Sequence, residues 1–170
     1  MTVHLKLAQA LTQKNALKVI SGLNNFDQPQ VTAVVKAAEA GGATFVDIAA
    51  QPDLVSAIRQ LTTLPICVSA VDPKLFVSAV NAGADLIEIG NFDSFYSQGR
   101  KFEAPEVLEL TQRTRALLPK ITLSVTVPHI LALAEPTPTP EAPAAIAIGT
   151  VTSDKPEAQR TGISTAREIL

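Results

Sequence analysis

The chain has 170 residues, 46% hydrophobic and 18% charged, with a formal net charge of −2, a length that suits one domain with a single core. No basic cluster is present, so no nucleic-acid partner is expected, and no apolar run approaches the roughly 20 residues of a membrane span, so a soluble chain without a membrane partner is expected. The lone cysteine, Cys67, excludes an intramolecular disulfide framework and a cysteine-based metal cluster, and fits a reducing compartment.

Strand-type and helix-type patterns then alternate. Met1 to Ala8 lacks the basic stretch and apolar block of a secretory signal and reads as a short lead-in helix. The first strand is predicted over 17–22, closed by Gly22. A helix follows with Asp27 as cap, Gln30 as its capping-box partner, and Val31, Val34, Val35 and Ala38 on one face. The second strand runs over 44–49, before a helix with Pro52 in its first turn and Leu54, Ile58 and Leu61 inward. The third covers 66–70, followed by Asp72 and Pro73 as cap and first helical residue, with Leu75, Phe76, Ala79 and Val80 inward. The fourth covers 86–90. A loop from Asn91 to Phe102 leads to a helix starting near Pro105 and carrying Val107, Leu108, Leu110 and Leu118; the fifth strand is 121–127, stopped by Pro128.

Strands alternating with single helices imply parallel pairing through right-handed crossovers. Ala40 to Ala49 resembles Ala82 to Gly90 with one glycine fewer, each ending a helix, turning tightly and running a strand with an acid in the same place. A repeat two βα units apart favours a (β/α) barrel over an open doubly wound sheet. The expected fold is therefore α/β, a parallel TIM-barrel-like architecture, incomplete at about five βα units. From Ala134 the composition changes: Pro136, Pro138, Pro140 and Pro143 alternate with Thr, Glu and Ala. The expected organisation is a partial barrel over 1–133 and an irregular Pro-rich tail over 134–170, with one weak strand candidate at 145–148 and a helical turn at 166–170. Two unpaired sheet edges and an exposed barrel interior lead to the expectation that the chain forms a homo-oligomer or is only marginally stable.

Side chains alternate along a strand, so each strand presents two lanes. Leu17, Val19, Val46, Ile48, Ile66, Val68, Ile87, Ile89, Leu123, Val125 and Val127 form an aliphatic lane that should face the helices. Lys18, Asp47, Cys67, Ser69, Glu88, Thr122, Ser124 and Thr126 form the other, pointing inside a barrel. Lys18 neutralises one carboxylate; Asp47 and Glu88 together leave a deficit that an enclosed site resists. Arg100, His129, a cation or a held proton are the candidates to balance it. Lys18, Asp47 and Glu88 are the catalytic candidates, the lysine as Schiff-base nucleophile or proton-transfer base and the acids as general acid or base. Interior ion pairs also occur in barrels as packing alone. Ser69, Asn91, Arg100, Ser124 and His129 are the substrate-binding candidates. Cys67 reads as a small buried hydrophobe. No metal is assigned, Gly22 to Asn25 lacks a dinucleotide or phosphate-loop fingerprint, and any other cofactor stays unknown.

The loop from Asn91 to Phe102 exceeds the usual two to six residues of a βα loop. It holds the only Tyr and three of the six Phe, with Arg100 available for an anionic group. It serves either as a functional segment or as a lid packing its own aromatics over the barrel mouth.

Residues 17–26, 41–49, 65–71, 88–96 and 123–129 together resemble the hypothetical chloroplast open reading frame twenty-three family, a plastid and cyanobacterial TIM-barrel domain of unknown function. The resemblance covers about residues 15–129. It implies a cyanobacterial cytoplasmic or plastid stromal setting and a phosphosugar-type barrel ancestry, and supplies no catalytic residues. After His129 the chain departs from the family's glycine-rich second half, as a truncated or frame-altered product would. The functional expectation is a lyase or isomerase acting on a small anionic, phosphorylated metabolite. The alternatives are a non-catalytic binding or assembly protein of a photosynthetic cell using the 91–102 loop, and a truncated form without independent activity.

Overall fold

The computed structural model describes residues 5–90, 92–96 and 98–128. The elements run α1 (Leu5–Thr12), β1 (Lys18–Gly22), α2 (Gln28–Ala40), β2 (Phe45–Ala49), α3 (Pro52–Arg59), β3 (Ile66–Ala70), α4 (Pro73–Asn81), β4 (Leu86–Ile89), α5 (Asp93–Tyr96), α6 (Ala104–Leu117) and β5 (Thr122–Val125). All pairings are parallel and the sheet order is β1-β2-β3-β4-β5. Each βα step therefore winds onward in one direction, as in a barrel; a doubly wound sheet would reverse order at a switch point. The division at residue 133 and the whole 134–170 tail, with its strand and helix candidates, lie outside the described residues.

The aliphatic lane packs against the helices. Val46, Ile48, Ile66, Val68, Ile87 and Ile89 share one core with Val31 and Val35 of α2, Val55 and Ile58 of α3, Phe76 of α4 and Val107 of α6. Leu17 and Val127, just beyond the strand ends, are exposed, as are Leu61, Leu75 and Leu108. In α4 the buried stripe runs through Phe76 and Ala79, and Leu75, one residue and about 100° of helix away, faces out. Asp27 caps α2 by accepting from the Gln30 amide at 3.0 Å. The expected capping-box partner is replaced on the other side: the Asp27 amide donates to Asn25 Oδ1 at 3.2 Å.

The repeat is built into the hydrogen bonding. Gly42 and Gly83 each turn at positive φ. The residue two further on then offers a side-chain oxygen to the amide at or just before the start of the preceding strand: Thr44 Oγ1 accepts from Leu17 at 2.9 Å and Asp85 Oδ2 from Ile66 at 2.8 Å. Asp85 is also held by Arg59 Nη1 at 2.9 Å. These matched clasps set equal registers, so Phe45 corresponds to Leu86, Asp47 to Glu88 and Ala49 to Gly90.

Within the described residues the lead-in helix is α1, Leu5–Thr12, and its role was not legible in the sequence. Leu7 of α1 is buried against Phe45, Cys67 and Leu86 on the face opposite the other helices, plugging the N-terminal end of the curled sheet. Leu7→Ala should destabilise the fold by about 2–4 kcal/mol in urea unfolding; a change below about 0.5 kcal/mol would show that α1 does not plug the interior.

Candidate functional site

Above that apolar plug the second lane gathers its charges. Lys18 Nζ lies 3.2 Å from Asp47 Oδ2 and 2.7 Å from Glu88 Oε2, with all three side chains at most 5% exposed. β1 and β4 are separated by β2 and β3, about 14 Å along a flat sheet. The lysine meets the glutamate because the sheet curls toward them, so the bridge is a chord across the arc.

Each carboxylate also receives a hydroxyl from the next strand. Ser69 Oγ sits 2.6 and 2.7 Å from the two oxygens of Asp47. Thr126 Oγ1 donates to Glu88 Oε1 at 3.3 Å. The register partners are Cys67 for Asp47 and Ser124 for Glu88, so in both cases the hydroxyl lies two residues beyond the partner. Thr126 reaches down because Gly90 has no side chain: a Cβ there would fall 2.5 Å from Thr126 Oγ1 and 3.2 Å from Glu88 Oε1.

Burial favours the neutral form of a carboxyl, and it dominates at Asp47; Lys18 opposes it, Glu88 adds to it, and the pKa rises from 3.8 to about 6. For Lys18, burial alone would lower the pKa, but Asp47 and Glu88 outweigh it and the ammonium is held above its ordinary range. Burial, with Asp47 next, pushes the Cys67 thiol well up. The cluster thus contains a firm cation, a carboxyl that exchanges its proton near pH 6 and an inert thiol. A Schiff-base nucleophile needs a neutral amine, so the geometry favours Lys18 as a fixed charge.

Asp47, Cys67 and Glu88 bring potential ligand atoms within 4.8 Å of one another. The Lys18 ammonium already bridges the two carboxylates, and the thiol is held protonated, so a metal there would have to displace a cation and deprotonate a sulfur.

Of the sequence candidates, the structure brings together Lys18, Asp47, Glu88 and Ser69. Ser124 is half-buried beside Glu88 in register, but the hydroxyl that reaches Glu88 belongs to Thr126, a member of the polar lane that was not singled out. Gly90, read only as a strand end, is the second omission; its signal was its place opposite Ala49 in the repeat. Arg100 does not join the cluster: it pairs with Glu106 at 2.7 Å, is 56% exposed and lies over the Phe102 ring. Asn91 and His129 lie outside the described residues. In the 91–102 loop, Phe92 and Phe102 are buried with ring centroids 4.6 Å apart, and Phe95 packs edge-on to Phe102 at 5.5 Å. The loop thus packs these rings against one another.

A family profile described as "Protein of unknown function (DUF561)" matches residues 1–160. The chain belongs to this family. "Uncharacterized protein ycf23" of Cyanophora paradoxa is 54% identical over 129 residues, covering 75% of this chain and 53% of that protein. "Uncharacterized protein ycf23" of Pyropia yezoensis is 47% identical over 135 residues, covering 79% and 50%. The chain thus spans about half the length of these curated relatives. Among solved structures, a mandelate oxidase mutant with the monooxide FMN adduct superposes with a TM-score of 0.50 at 19% identity, over 73% of this chain and 44% of that one. At that identity the likeness is one of fold, and it agrees with a TIM-barrel-like winding for this DUF561 member. No helix among the described residues is long and apolar enough to cross a membrane.

Lys18→Met leaves two buried carboxylates without their cation and should cost about 3–5 kcal/mol in chemical unfolding, while Glu88→Gln, which leaves one cation against one anion, should cost clearly less. Equal losses would contradict the charge accounting. Because the folded pKa of Asp47 exceeds its ordinary 3.8, its contribution to stability is complete below that value and is lost as pH rises through about 6. Wild type should therefore lose stability relative to Asp47→Asn over that window; parallel curves would refute the shift. Gly90→Ala should cost about 1–3 kcal/mol by overpacking against Thr126, and an unchanged unfolding midpoint would show that the approach is not tight.

Proposed function

We propose that the Lys18–Asp47–Glu88 cluster is the proton-transfer centre of a lyase- or isomerase-type barrel enzyme acting on a small anionic, phosphorylated metabolite. The observation that carries this reading is a buried carboxyl with a pKa of about 6, bridged through one lysine to a second carboxylate on the interior face of a parallel βα sheet. General acid–base groups are most effective when they exchange protons near the working pH. A structural ion pair needs one carboxylate per lysine; here there are two, so the cluster can hold or release a proton without losing its cation.

The anionic character of the substrate is supported by the phosphosugar-type ancestry that the family resemblance implies. With Arg100 engaged by Glu106, the cation at the cluster among the described residues is Lys18, and when Asp47 carries its proton these three groups are together neutral and no longer repel an anion. The same resemblance supports a cyanobacterial cytoplasm or plastid stroma as its setting.

Screening this chain and a longer relative against phosphorylated and other anionic hydroxy-carbonyl compounds, by thermal shift and then turnover, tests the reading. A ligand that raises the melting point should be turned over with a step in rate near pH 6, and Glu88→Gln should lower the rate by about 10²-fold or more while binding persists. Unchanged turnover in Glu88→Gln removes Glu88 from the chemistry; binding without turnover in either protein contradicts the enzyme reading.

A further inference from the structure

The two carboxylates occupy equivalent places in the repeat, yet their surroundings differ. Asp47 is closed. Ser69 lies within 2.7 Å of both its oxygens, Lys18 takes Oδ2, and Ala49, fully buried, puts a methyl group at the next inward position of its strand.

Glu88 has a different cover. Its Oε2 is fixed by Lys18 at 2.7 Å, but the donor to Oε1 among the described residues is the single hydroxyl of Thr126, at 3.3 Å, a long and weak bond for a charge-assisted pair. At the position matching Ala49 stands Gly90, and the space a Cβ would take is filled by the Thr126 side chain. Thr126 itself is half-buried, beyond the end of β5, anchored through its amide to the Ile89 carbonyl at 2.8 Å. Among the described residues, the side chain that reaches Glu88 Oε1 from the direction of the C-terminal end of the strands, where barrel sites open, is therefore that of Thr126. Rotation about its χ1 would take that hydroxyl donor away from Glu88 Oε1.

We propose that Glu88 is the carboxylate that meets the substrate, that Thr126 is a positioning residue and movable cover seated in the gap left by Gly90, and that Asp47 remains an enclosed charge partner. The substrate group it would meet is a proton donor, either a hydroxyl or an acidic C–H. This assignment rests on the proton-transfer reading above, but it is tested without a substrate.

The probe is a water-soluble carbodiimide with a small amine, which converts reachable carboxyl groups to amides that peptide mass mapping locates. In the folded wild-type chain, Glu88 should be modified at least about tenfold faster than Asp47. Thr126→Ala, which removes the cover, should speed the modification of Glu88 several-fold. Thr126→Val, which keeps the bulk and loses the hydroxyl, should react more slowly than Thr126→Ala. Circular dichroism melts of each variant establish that folded protein is compared. Asp47 reacting as fast as Glu88, neither group reacting, or Glu88 reacting no faster in Thr126→Ala would overturn the assignment. Absence of turnover in the metabolite screen would remove the enzyme reading while leaving this labelling pattern intact, so the two failures are distinguishable.

Discussion

The reach of one lysine across three strand spacings governs this structure. Lys18 leaves the first strand and ends between acids of the second and fourth. That contact exists only if the sheet curls, and it places two like charges beside one cation away from water. Curl and charge are thus coupled: the shape brings Asp47 and Glu88 to a common point, and the ammonium makes that convergence tolerable.

The remaining features follow from that constraint. An inner face carrying charge at mid-height needs an apolar seal below, and Leu7 with Phe45, Cys67 and Leu86 supplies it. It also needs donors for the carboxylate oxygens that Lys18 cannot satisfy, and Ser69 of β3 and Thr126, just past β5, provide them. The matched clasps at Thr44 and Asp85 fix the registers that bring both acids to the same height. Burial then leaves Asp47 poised near pH 6.

Much of this was legible from period and repeat. The two-residue alternation separated the lane of Val46, Ile48, Val68 and Ile87 from the lane of Lys18, Asp47 and Glu88, and the likeness of 40–49 to 82–90 pointed to barrel winding. What the sequence could not supply was register between strands distant along the chain. It is register that makes Thr126 rather than Ser124 the donor to Glu88, since the two differ by one step along the same inward lane. Arg100 was misplaced for a related reason: a loop obeys no alternation rule, and a nearby glutamate, Glu106, captured the guanidinium. The plug of α1 was hidden because its partners Phe45, Cys67 and Leu86 become neighbours only once the sheet has curled.

The most direct measurement is a carbon-13 NMR titration of the Asp47 side-chain carboxyl in wild type and in Glu88→Gln. A shared buried cation predicts a midpoint near 6 in wild type and a lower one once the second negative charge is gone. A midpoint near the ordinary 3.8, or one indifferent to residue 88, would mean that the two acids do not share Lys18 in a common interior.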